Sequence, residues 1–250
     1  MDIKSTEMNG LRVIFRREIN AYLHSYVGYI VAATVLMLDG LLFYTQALGP
    51  AAGERLSGEV LARFFYTASG LTAIAALVLS VRLIAEERQL GTQVLLNTSP
   101  VRDWEIVTGK FSAALVFITG ITLSTLYMPL MIVVNGRVSI AQILVGYAGL
   151  VLLGAAVLAI GIFATSLTRS QLVATAVGAA VTAVMFLFWP LSIVVDPPMS
   201  RVLSALALHG RHFSGFQQGL LHTRDVFYYF AVTYFFLLLA TKVLEAKRWE

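Results

Sequence analysis

The chain has 250 residues, 58% hydrophobic and 13% charged, with 18 basic against 14 acidic side chains and a mean hydropathy of +0.79. Soluble domains carry roughly twice that charged fraction, so the composition argues against a large water-soluble protein and for a membrane protein. The lack of Cys excludes disulfides, thiolate metal sites and a thiol nucleophile within the chain, and a net charge of +4 fits basic membrane-flanking loops better than nucleic-acid binding.

Residues 1–26 do not read as a cleavable signal, because acidic residues and Arg interrupt them and no apolar core with a small-residue cleavage site follows. Residues 9–26 read as an amphipathic interfacial helix. Leu11, Ile14, Phe15, Ile19, Tyr22 and Leu23 recur at helical spacing, Arg12, Arg16 and Arg17 can face lipid headgroups, and Asn9 can cap the start. The alternative is a frayed polar tail.

Six spans are predicted, at 27–48, 61–84, 106–134, 140–165, 171–195 and 226–243. Stretches 64–81, 111–136, 138–168 and 170–195 carry no charge, and a spanning helix needs about 20 mostly apolar residues. These segments must be helical, since open strands leave backbone groups unsatisfied in lipid. The expected fold is therefore an all-α integral membrane protein forming one domain over 1–250, with short external helices before the sixth span.

Asp39 is the only ionisable residue deep in an apolar run. A charge at the bilayer centre costs about 2.5–3.5 kcal/mol on insertion scales, so Asp39 is expected to face protein or water. It is a candidate for the substrate path or a polar switch, or else it is satisfied locally beside Gly40.

Between the second and third spans lies "AEERQLGTQVLLNTSPVRDWEIVTGK", residues 85–110. Leu90, Val94 and Leu95 can share one helical face after Glu86 and Glu87. Ser99 and Pro100 are then a good cap and first residue for a new helix, with Asp103 near its positive end. A docking device and a solvated connector with a routine cap both fit this pattern.

The fourth span carries Gly146, Gly149, Gly154 and Gly161, read as packing sites. In the fifth span Ala174, Gly178 and Thr182 recur every four residues, which permits close helix approach, either as a dimer seam or within the chain. Trp189-Pro190 reads as a kink and interfacial anchor. In the loop 196–225, short helices are expected near 199–208 and 213–221, the second with Phe213, Phe216 and Leu220 near one face; both are too short to span. His24, His209, His212 and His222 are too scattered for a recognisable zinc site. No Gly-x-x-x-x-Gly-Lys-Ser/Thr phosphate loop occurs, and no enzymatic activity is expected of this chain.

Lys and Arg set the orientation. Lys4, Arg12, Arg16, Arg17, Arg82, Arg88, Arg102, Lys110, Arg169, Lys242, Lys247 and Arg248 fall on one side, and Arg55, Arg63, Arg137, Arg201, Arg211 and Arg224 on the other. The positive-inside rule makes the first side cytoplasmic, with both termini inside.

The run "RLIAEERQLGTQVLLNTSPVRDWEIVTGKF" resembles the signature of type-2 ABC transporter permeases: an acidic pair, Arg, then Gly-Thr, a Leu-rich helix, Ser-Pro, and Glu-Ile-Val-x-Gly-Lys. "RREINAYLHSYVGYI" (16–30) is similar to that family's N-terminal helix and first span. "RHFSGFQQGLLHTRDVFYY" (211–229) resembles the external segment of the branch containing gliding-motility and nitrous-oxide-reductase-maturation permeases. The resemblance implies a cytoplasmic coupling helix in 85–104 that contacts a separate ATPase subunit through Glu86, Glu87, Arg88, Gly91, Thr92, Leu95, Leu96, Ser99 and Pro100. It implies two ATPase copies holding ATP and Mg, no cofactor or metal in this chain, and a second permease copy or a related permease. It also implies residence in the bacterial inner membrane and, by analogy, an exporter. The alternative it leaves open is a mechanotransmission subunit that drives a periplasmic partner without moving cargo.

Overall fold

The computed structural model describes residues 3–48, 57–89, 102–135, 138–168 and 170–247. These form α1 (Ile3–His24), α2 (Tyr26–Phe43, extended by a π turn at Tyr44–Leu48), α3 (Ser57–Gln89), α4 (Asp103–Ser124), α5 (Tyr127–Asn135), α6 (Ile140–Leu167), α7 (Gln171–Val194), α8 (Met199–Leu206), α9 (Ser214–Gln217) and α10 (Thr223–Lys247). Six segments are long and apolar enough to cross a bilayer: Tyr26–Ala47, Ser57–Val81, Asp103–Val134, Ile140–Leu167, Gln171–Val194 and Thr223–Lys247. Each lies within a few residues of a predicted span at most of its ends, because an apolar run without water can close its backbone hydrogen bonds only as a helix. The protein is an all-α, multi-pass membrane protein.

Local sequence sets the breaks. Ser25 is extended (φ −95°, ψ 138°), and its hydroxyl caps α2 by accepting the Gly28 N–H at 2.9 Å. The third span, expected as one helix, divides at Thr125-Leu126. Pro129 offers no N–H to the Thr125 carbonyl and its ring crowds that carbonyl. The chain tightens to shorter-range bonds, Thr125 N to Thr122 O at 3.2 Å and Leu126 N to Leu123 O at 3.1 Å, and Met128 N takes the Thr125 carbonyl at 3.0 Å.

At the end of the molecule that carries both termini, two further expectations change. Glu86, Glu87 and Arg88 continue α3 instead of opening a separate short helix. With 33 residues at 1.5 Å each, α3 is about 50 Å long against a hydrocarbon core of about 30 Å, so it overhangs the bilayer. The helix expected to begin at Ser99-Pro100 does not run through Arg102, which is extended (φ −80°, ψ 149°). Instead α4 begins at Asp103, and the Glu105 carboxylate reaches back to accept the Arg102 N–H at 2.8 Å.

The centre of the bundle is α6, 72% buried over its apolar window, with α3 next at 61%. Gly146 lies against Phe65, Gly154 against Thr72 and Gly161 against Ser80. The three pairs rise together along both helices, so α3 and α6 run parallel at close range. Lipid gives no hydrophobic drive between spans, and small residues let dispersion contacts replace it. The fourth-span glycines are thus packing sites.

Ala174, Gly178 and Thr182 are the buried residues of α7. A Cβ on Gly178 would lie 3.0 Å from Leu77 Cδ1 and 3.3 Å from Ala164 Cβ. This stripe therefore packs against α6 and α3 of the same chain, and burial leaves it no surface for the dimer seam expected of it. The windows of α2, α7 and α10 are 22%, 17% and 17% buried, so these spans keep open outer faces.

Candidate functional site

Three arrangements stand out. The first is at the terminal end, where α1 lies along α4. Gly10 faces the Glu105 carboxylate, a Cβ on Gly109 would press on the Ile14 side chain, Glu18 meets Lys110 at 2.9 Å, and Tyr22 stacks on Phe117 with centroids 5.1 Å apart. These pairs also rise together, so the helices run side by side for about 18 Å. The Tyr22 hydroxyl also donates to the Leu79 carbonyl of α3 at 3.3 Å. The apolar stripe of α1 thus seats on protein instead of lying alone on lipid, with Ile14 and Tyr22 buried and Arg12, Arg16 and Arg17 exposed on the other side.

Within this seat Lys110 is 1% exposed. Burial alone would push the Glu18 carboxyl up, but Lys110 and Arg17 outweigh it and hold Glu18 below the ordinary carboxylate range. Glu105 is also buried, and its Oε1 has no hydrogen-bond partner among the described residues. The sequence signal for the Glu18–Lys110 pair was present: Glu18 falls on the Ile14–Tyr22 stripe, and Lys110 between Ile106 and Ala113. A charge on an apolar stripe calls for a partner.

The predicted ATPase contacts divide. Glu86, Glu87 and Arg88 sit on the last turns of α3. Gly91, Thr92, Leu95, Leu96, Ser99 and Pro100 lie outside the described residues. What flanks them is clear: the segment leaves from α3 and returns into α4, and α1 touches both helices.

The second arrangement surrounds Asp39, 5% exposed on the buried stripe Val31, Val35, Asp39, Phe43 of α2. Its Oδ1 is buried without a hydrogen-bond partner among the described residues. Beside it is the break in the third span. Met128 packs toward Gly40, and the Thr125 hydroxyl meets the Tyr147 hydroxyl of α6 at 2.9 Å.

The third lies at the opposite end, where residues 207–217 form a plug buried in the bundle. Ala207, Leu208, Phe213 and Phe216 are fully buried. Buried non-helical backbone must find its hydrogen-bond partners in protein. Leu208 meets this demand twice: its N–H donates to the Met185 carbonyl at 3.0 Å, and its carbonyl accepts from the Tyr229 hydroxyl at 2.9 Å. Pro190, which cannot donate to the Phe186 carbonyl, loosens α7 next to that contact. The second short helix is only Ser214–Gln217, shorter than expected, since Gly219 at φ +78° ends it. Leu220 consequently points outward and is exposed, unlike Phe213 and Phe216.

Two histidines anchor this plug, a role their spacing gave no sign of. The Ser69 hydroxyl donates to Tyr66 O at 2.6 Å and accepts from His209 Nε2 at 2.8 Å. His209 also stacks between Phe186 and Phe213, centroids 5.4 and 5.1 Å away. Burial lowers it to about 4, so the ring is the neutral donor that Ser69 requires. His212 stacks on Tyr228 and places Nδ1 2.8 Å from Asp225 and Nε2 3.2 Å from the Ala205 carbonyl.

Between α7 and α10, beneath α8, an apolar cavity of about 690 Å³ is lined by residues including Val184, Phe188, Leu206, Tyr228 and Phe235.

Residues 10–241 match the family described as ABC-2 family transporter protein. No curated protein matches the chain.

Proposed function

Since the chain belongs to the ABC-2 transporter family and is thereby a permease component of an ABC transporter, we propose that it is the membrane half of an exporter whose motor is a separate ATPase docked on residues 86–100. ATP and Mg are bound by that partner. The terminal end faces the cytoplasm, which the twelve-to-six distribution of basic residues supports, and a second permease completes the path across the open faces of α2 or α7.

The observation that carries this reading is the mounting of the segment after Arg88. Of the two helices that flank it in sequence, α3 overhangs the bilayer and packs along the central α6, and α4 is clamped by α1 through Glu18–Lys110 and Tyr22–Phe117. A push there is delivered along rigid helices to the bundle core, the kind of two-state element an ATP-driven cycle needs.

The test is copurification of an ATPase with the full chain from native membranes, followed by its activity in bilayers. Glu87→Ala and Gly91→Trp are expected to detach the ATPase or uncouple its activity while the permease keeps its thermal unfolding profile. Unchanged copurification and unchanged activity in both variants would overturn the coupling role.

A further inference from the structure

The seat of Asp39 has a chemical consequence beyond transport. Asp39 is thirteen residues past Tyr26 and eight before Ala47, about 20 and 12 Å along the helix from either end of its span. Its stripe neighbours Val35 and Phe43 are apolar, and Oδ1 accepts from nothing among the described residues. A bare carboxylate would be an uncompensated charge in the bilayer, whereas a carboxylic acid carries none.

The surroundings offer no counter-charge. On α3 the ionisable residues of this half, Glu59, Arg63 and Tyr66, are exposed; α4 has none from Phe111 to Ser124; α5 brings Tyr127, 53% exposed; and α6 brings Tyr147, whose hydroxyl is engaged with Thr125. Oδ1 is also sealed from solvent, and the Met128 methyl packs against the same turn of α2 at Gly40. Of the ligands a carboxylate takes, only a proton needs no volume.

We propose that Asp39 is a proton-binding site of the permease, filled while α2 is seated against the broken third span and emptied to water when that seam opens. The step is one O–H bond broken, with the proton passing to water and the carboxylate left hydrated. The break at Thr125-Leu126 supplies the moving part. The backbone there already lacks regular helical bonds, and the Thr125–Tyr147 contact is the latch that α5 must leave to take Met128 off the α2 face. The proposal rests on the transporter reading only for the force that opens the seam.

The experiment is infrared spectroscopy of the full-length permease with its copurified ATPase in lipid nanodiscs, with isotope-labelled aspartate marking the carboxyl band. At neutral pH without nucleotide, the wild type is expected to show a protonated-carboxyl C=O band that is missing from Asp39→Asn and shifted in Asp39→Glu. Trapping the complex with ATP is expected to diminish that band in the wild type. Superimposable resting spectra of wild type and Asp39→Asn would overturn the site, and a band that ATP leaves untouched would overturn its emptying. If no ATPase copurifies, the transporter reading is what fails, and the resting spectrum still decides whether the proton is there.

Discussion

The Lys110 ammonium meets the Glu18 carboxylate at 2.9 Å across 92 residues of sequence, with Lys110 1% exposed. This contact fastens α1 to the start of the third span. Stranding a buried charge by removing its partner costs about 3–5 kcal/mol; Arg17 still pairs with Glu18 at 2.7 Å and Glu18 is 13% exposed, which places Lys110→Met below that range. The double variant Glu18→Leu with Lys110→Met should recover part of that loss. Thermal unfolding in nanodiscs, run as a double-mutant cycle, measures both.

The same pair predicts an acid response. Glu18 titrates below its ordinary range, so the folded state holds fewer protons on it than the unfolded chain does near that range. The stabilisation is complete above the ordinary carboxylate range and drains away as pH falls through the folded value. A pH series of unfolding midpoints should show this loss in the wild type, with a reduced slope in Glu18→Gln. Equal slopes would remove the pair from any part in acid sensitivity.

How much of this was legible in the sequence follows from how far apart the partners lie. Spans were readable because each is a local apolar run, and Asp39 because one charge in such a run is conspicuous. The Pro129 break was not readable, since proline is tolerated in membrane helices and its effect depends on the surrounding carbonyls. Ala174, Gly178 and Thr182 announced a close approach without saying to what; only the fold shows α6 and α3 as the neighbours. His209 finds Ser69 140 residues away, and no spacing rule connects them.

His209 predicts a second pH effect, at the opposite end. Burial lowers it from 6.5 to about 4, so between those values the unfolded chain binds a proton that the folded plug refuses. Stability should fall as pH drops from about 6.5 towards 4, by about 3 kcal/mol in all at most. His209→Gln, which keeps a donor for Ser69, should flatten that limb. Protease accessibility of the 207–217 segment against pH reads the plug directly, and a wild-type curve matching the variant would count against the assignment.

Gly149 tests the depth of that plug. A Cβ there would lie 2.6 Å from Phe216 Cβ, which is fully buried. Gly149→Val should displace Phe216 and cost about 1–3 kcal/mol, the usual penalty of overpacking. Labelling of single cysteines introduced at Ser214 should rise in the variant, while one at Gln171, on another element, should not change.

The Ala174–Gly178–Thr182 stripe separates packing within a chain from association between chains. A side chain at Gly178 meets Leu77 and Ala164 of the same chain, so Gly178→Leu should lower the unfolding temperature through the overpacking penalty of about 1–3 kcal/mol. Packing within the chain does not depend on a second copy, so the mass of the folded fraction, read by light scattering, should stay that of the wild type. A dimer built on this stripe demands the reverse, an unshifted unfolding curve with the mass halved. The two readouts move independently, because the contact that Leu would break lies inside one chain whereas the mass reports only on contacts between chains.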